Sequence, residues 1–142
     1  MATPSLYALL VDASGLSNAE AAGVHSVNLR TVERWVSGKA TAPAGVLIEL
    51  AELIGKQSET MAQALAIIDE QDAGNPGAED AVVLGLARSN AEAQTLGWPT
   101  RSAQARMIGA LAAHILLDER SVEITDRGEF EVPSAALKPG GH

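Results

Sequence analysis

The sequence predicts a mainly α protein, a bundle of short helices followed by a smaller α+β part. Three observations lead there. Between Leu16 and Lys39 two helix-start signals alternate with two helix-stop signals. Apolar residues recur at helical spacing over 44–54, 58–71 and 102–117. Short strand-like runs occur only after 72–80, a stretch punctuated by Gly, Asn and Pro.

Each element has its own signal. Leu6, Tyr7, Leu9 and Leu10 form a first helix after Pro4 and Ser5, ending near Ser14-Gly15. Ser17 is placed to cap a second helix, with Glu20 three residues on to complete a capping box and the small pair Ala21-Ala22 inside. That helix ends between Gly23 and Ser26. Asn28 opens the next, Leu29 to about Ser37, stopped by Gly38. Thr41-Ala42-Pro43 reads as a loop into a helix over 44–54, with Val46, Leu47, Leu50, Leu53 and Ile54 on one face and Gly55 as its stop. Ser58 is expected to cap a further helix to about Gln71, carrying Met61, Leu65 and Ile68.

These elements place a helical domain at 1–72, a linker at 73–80 and an α+β domain at 81–132. Ala81 to Ala87 is a short apolar run bounded by charge, which fits a buried strand. Asn90 caps a short helix to Leu96, Gly97-Trp98-Pro99 breaks the chain, and a helix from Ser102 to Leu117 carries Met107, Ile108, Leu111, Ile115 and Leu116. The alternation in 121–125 and 129–132 around Asp126-Arg127-Gly128 predicts a hairpin, and 133–142 a flexible tail. No internal repeat is present.

Composition narrows the function. With 142 residues, 46% of them hydrophobic, the chain has enough apolar surface for a core. It has no cysteine, which removes disulfides, thiolate zinc sites and thiol nucleophiles, and its three scattered histidines do not rebuild a metal site. No run approaches the roughly 20 apolar residues that cross a bilayer, and the N-terminus lacks the regions of a signal peptide, so a cytoplasmic address without membrane contact is expected. Asp118, Glu119, Glu123, Glu129 and Glu131 form no carboxylate pair with a partner base. The expectation is therefore a protein that is not an enzyme and needs no cofactor or metal. His25 and His114 read as packed side chains, Trp35 as core beside Val32, and Trp98 as a packed turn.

Two short capped helices around one tight turn are spaced as a helix-turn-helix that lays its second helix in the DNA major groove. The run Leu16-Ser-Asn-Ala-Glu-Ala-Ala-Gly-Val-His-Ser-Val-Asn-Leu-Arg-Thr-Val-Glu-Arg-Trp-Val-Ser-Gly-Lys39 resembles, without a gap, that motif in phage-repressor-like (Xre/Cro/C1) transcriptional regulators. The resemblance covers roughly 5–56 and implies a lambda-repressor-like bundle. The matching positions include Ala22, Val27, Thr31-Val32, Arg34-Trp35 and Ser37-Gly38-Lys39, while His25 and Ser26 depart from the usual apolar residue and turn glycine. It implies base contacts from Asn28, Leu29, Arg30, Glu33 and Arg34, and phosphate contacts from Asn18, Lys39 and Thr41. Arginine can donate two parallel bonds to guanine, asparagine can pair with adenine or cap onto phosphate, and leucine can touch a thymine methyl. Leu96-Gly97-Trp98-Pro99 with the helix after it is similar, more weakly, to the YdiL-like and anti-CRISPR-associated repressors. Those use their C-terminal part to dimerise and repress their own operon from an inverted repeat.

A specific repressor usually needs two half-sites about one helical turn apart, which also leads to a homodimer on a palindromic operator. Against DNA binding stands the net charge of −8. Its distribution answers part of the objection. Residues 1–56 hold Asp12, Glu20, Glu33, Glu49 and Glu52 against Arg30, Arg34, Lys39 and Lys56, so −7 lies downstream. The alternatives are an antitoxin whose acidic C-terminal half sequesters a partner toxin, and an interaction adaptor that keeps the fold without binding DNA.

Overall fold

The computed structural model describes residues 3–73 and 81–126. Among them the chain runs through α1 (Leu6–Ser14), α2 (Asn18–His25), α3 (Leu29–Ser37), α4 (Ala44–Ala73), β1 (Val82–Leu86), α5 (Asn90–Thr95), α6 (Arg101–Leu117) and β2 (Val122–Asp126). The fold is mainly helical with one small parallel sheet. No described helix is long and apolar enough to cross a membrane. The chain divides into two compact units, Met1–Gly55 and Lys56–His142.

In the first unit the caps form as their residues dictate. The Ser5 hydroxyl accepts from the Ala8 amide and opens α1, and Gly15 closes it at φ 82°. Ser17 and Glu20 form a reciprocal capping box at α2, each side chain accepting from the other's backbone amide. Ser26 ends α2 in the left-handed region at φ 58°, so serine fills the place of a turn glycine at modest strain. Its amide donates back to Gly23, and that of Val27 to Ala22. The Asn28 side chain then opens α3, and Gly38 closes it at φ 81°. Behind these helices lies a core of Tyr7, Val11, Leu16, Ala21, Ala22, Val32, Trp35, Ala42, Leu50 and Leu53.

One expectation fails at α4. Gly55 does not stop a helix and Ser58 does not cap one: a single helix of 30 residues runs through both. The reason lies in which positions are buried. Leu50, Leu53, Gln57, Thr60, Ala64 and Ile68 follow one another at helical steps of three and four, all buried, across Gly55. Two of them are polar, so the apolar pattern breaks at the place where the helix continues. Gly55 costs the helix about 0.5–1 kcal/mol relative to alanine, which a buried face on either side outweighs.

In the second unit β1 and β2 pair in parallel, Val82 opposite Val122 and Leu86 opposite Asp126. A parallel pair needs a long crossover, and α5 and α6 supply it. The strand expected at 121–125 is therefore present with β1 as partner. The hairpin's other half, 129–132, the tail 133–142 and the linker beyond Ala73 lie outside the described residues. α6 packs Ala103, Met107, Ile108, Leu111 and Ile115 into a core with Leu84, Ala93, Leu96 and Trp98. Two of its side chains finish β1: Gln104 accepts from the Ala87 amide at 2.8 Å, and Arg101 donates to the Ala87 carbonyl at 2.7 Å. Gln57 of α4 donates to the Ala103 carbonyl at 2.9 Å, and Arg120 pairs with Asp72.

Opposite outcomes are expected at two glycines. A Cβ at Gly55 would meet nothing within 4 Å, so Gly55→Ala should raise stability to urea by about 0.5–1 kcal/mol. Gly38→Ala puts a side chain at φ 81° and should lower it by about 1 kcal/mol.

Candidate nucleic-acid interface

α3 is divided sharply between two faces. Val32 and Trp35 are buried, whereas Leu29, Arg30, Glu33, Arg34 and Ser37 are exposed. At 100° per residue these five fall within one arc opposite the core, so the residues expected to read bases share a face. Arg30 and Arg34 stand one turn apart, and neither side chain has a hydrogen bond or ion pair among the described residues. Glu33 lies between them and leaves both cations unpaired. Leu29 is 43% exposed, an apolar contact offered to the outside at the first turn.

Asn28 has a different position from the other four. Its Oδ1 accepts from the Thr31 amide at 2.8 Å and from the Thr31 hydroxyl at 2.9 Å. The oxygen is thus committed to the cap, and only the amide NH₂ remains for another partner. Asn18 sits half-buried in the first turn of α2, while Lys39 and Thr41 are exposed on the loop after α3. That loop is held by the Ala40 amide donating to the Arg34 carbonyl at 3.1 Å. From Arg30 to Lys39 three cations stand against one carboxylate.

What fixes α3 is a cluster that sequence reasoning saw only in part. The side chain of His25, at the end of α2, is fully buried. Its Nδ1 bonds the Glu49 carboxylate of α4, and its Nε2 lies 3.1 Å from the Tyr7 hydroxyl of α1. The Tyr7 ring meets the Trp35 indole edge-on at 5.3 Å, and the His25 ring lies 6.1 Å from the same indole. Four helices therefore converge on one imidazole. Ser5 adds a second tie, its hydroxyl donating to the carbonyls of Trp35 and Val36 at 2.8 and 3.0 Å. The Trp35 carbonyl also accepts from the Gly38 amide at 3.3 Å, so Ser5 adds a second donor to the last turn of α3. No spacing rule connects Ser5 to α3 or Glu49 to His25, since both contacts arise through tertiary packing.

Among the described residues no three His, Asp or Glu side chains converge as a metal ion would require. Comparison with known proteins finds no family model that matches the chain and no curated protein that matches it.

Burial, and then the neighbouring Glu49 carboxylate, push the Tyr7 phenol up from 10.0 to about 12. The folded state thus favours the protonated phenol. The stability this contributes is complete below pH 10 and is lost as the pH rises from 10 towards 12. Tyr7 is the chain's one tyrosine, so the phenolate absorbance of the native protein should appear about two units later than that of the urea-unfolded chain. Tyr7→Phe should remove the alkaline loss of stability that this group causes.

Proposed function

We propose that the chain is a sequence-specific DNA-binding transcriptional regulator, in which α2 and α3 act as a helix-turn-helix and α3 enters the major groove. The observation that carries the reading is the outer face of α3: two unpaired arginines with Leu29 and Glu33 beside them, on a helix locked from behind by Val32 and Trp35. An arginine without an internal partner gives up only hydration when it meets guanine, whereas a salt-bridged one must also break its pair. Glu33 selects by accepting from cytosine and by repelling phosphate at other registers. Lys39, Thr41 and Asn18 hold the sugar-phosphate strand and set the register, carrying no sequence information themselves.

The acidic balance fits this assignment. A chain at −8 has weak attraction for arbitrary DNA, so a local patch from Arg30 to Lys39 supplies binding only where base contacts add to it. Repression of its own operon from an inverted repeat, by a homodimer, completes the proposal: one module reads few bases, and two modules on a palindrome read twice as many.

Fluorescence anisotropy of the full chain, against the DNA upstream of its own gene and a scrambled duplex, tests the reading. The wild type should prefer its own DNA. Arg30→Ala and Arg34→Ala should each cost about 1–3 kcal/mol on that DNA and reduce the preference. Lys39→Ala should weaken binding to both duplexes and lower the salt slope by about 1. A wild type that does not discriminate even at low salt contradicts the proposal, and an unaffected Arg30→Ala/Arg34→Ala double variant moves the reading surface away from α3.

A further inference from the structure

α6 is apolar on two sides. Its inner side belongs to the core, through Ala103, Met107, Ile108, Leu111 and Ile115. Its outer side exposes Gly109, Ala110, Ala113, Leu116 and Leu117, with Leu116 58% and Leu117 82% exposed. From Met107 to Leu117 the helix holds no charged residue, and His114 is its one polar side chain. A helix packed on one side alone carries polar residues on the other, and one that is apolar all round is covered all round. Isolated exposed leucines need no explanation, whereas a continuous apolar stripe does.

The stripe has a pattern. Ser102, Arg106, Gly109, Ala113 and Leu116 succeed one another in alternating steps of four and three, the spacing of a seam between two helices packed along their length. Its two ends carry opposite charge. Arg106 precedes the apolar stretch, and Asp118 and Glu119 follow it. All three are exposed, and none of their side chains has a hydrogen bond or ion pair among the described residues.

We propose that the outer face of α6 is where two copies of this chain meet, the two helices antiparallel about a two-fold axis near Ala113. The inference rests on the regulator reading only in taking the functional species as a dimer. In that register Leu117 of one copy comes level with Gly109 of the other, and Arg106 with Arg120, which already pairs with Asp72, so that Arg106 lies within two residues of the exposed Asp118-Glu119 carboxylates, at both ends at once because the interface is isologous. A parallel pairing would instead set Arg106 against Arg106. Gly109 leaves the space that the facing leucine fills: a Cβ there would meet nothing within 4 Å in its own chain. Small residues at Gly109 and Ala113 let the backbones approach closely, and the flanking charges select this orientation over the other.

Sedimentation velocity of the full chain over a concentration series, without DNA, tests the interface, and far-UV circular dichroism checks each variant's fold. The wild type should sediment as two chains. Gly109→Gln places a good helix former in open space and should give a folded single chain, as should Leu116→Glu, at a position already exposed. Arg106→Glu should raise the dimer dissociation constant roughly tenfold, and adding Glu119→Arg should restore it. A monomeric wild type, or folded Gly109→Gln and Leu116→Glu variants that remain dimeric, overturns the interface. An unchanged Arg106→Glu variant overturns the antiparallel register. Because no DNA is present, a dimer that reads no DNA would leave this interface standing and remove the regulator reading, and a monomer that reads DNA would do the reverse.

Discussion

A buried imidazole must have partners for its ring nitrogens, and the first unit is built around meeting that demand for His25. Leaving such a group unpaired away from water costs about 1–3 kcal/mol, more than an exposed ion pair returns. Glu49 reaches it from α4 and the Tyr7 hydroxyl from α1, with Trp35 of α3 packed against both rings. The four helices cannot shift independently without breaking one of these contacts. The left-handed turn at Ser26 begins one residue after His25, so the imidazole also anchors the point where the chain changes direction between α2 and α3. An apolar residue in its place would fill the volume but would leave the tyrosine hydroxyl and the carboxylate to find other partners.

Rigid support from behind is what makes the outer face of α3 a candidate for recognition. A base contact discriminates only if its side chain starts from a fixed backbone, because mobility lets the wrong partner be accommodated as easily as the right one. Val32 and Trp35 supply the packing, and Ser5 holds the last turn by two carbonyls. Arg30 and Arg34 are then exposed on the other side. In the proposed reading the charge is divided to the same end: an acidic chain limits indiscriminate attraction to nucleic acid, and three cations over one short stretch would supply attraction where the contact is proposed.

Much of the first unit was legible in the sequence, because its helix ends are marked by side chains whose chemistry is local. Ser17 with Glu20, Asn28, Gly15 and Gly38 each act within four residues of themselves. The grouping of Leu29, Arg30, Glu33 and Arg34 came from the resemblance, and the exposure pattern along α3 is what puts them on one face. The exception is α4, whose buried Gln57 and Thr60 disguise a continuous helix as two. Gln57 is tolerated inside because it donates to the Ala103 carbonyl, a partner far away in the chain. The same limit hid the bond from Glu49 to His25, the cap on β1 from Gln104, and the parallel pairing of β1 with β2. None of these has a signature at fixed spacing, and each depends on where distant segments come together. The outer stripe of α6 was hidden in another way: an apolar helix reads as core whichever side is covered, and only the buried positions reveal which side is left over.

The central claim is that α3 is the surface that meets DNA, and backbone amide chemical shifts on titration with the duplex upstream of its own gene test it most directly. The account predicts that the largest changes fall at Asn18, from Asn28 to Arg34 and from Lys39 to Thr41, with the scrambled duplex producing smaller shifts at Asn18, Lys39 and Thr41 alone. Changes centred anywhere else in the chain, or none at all, would contradict it.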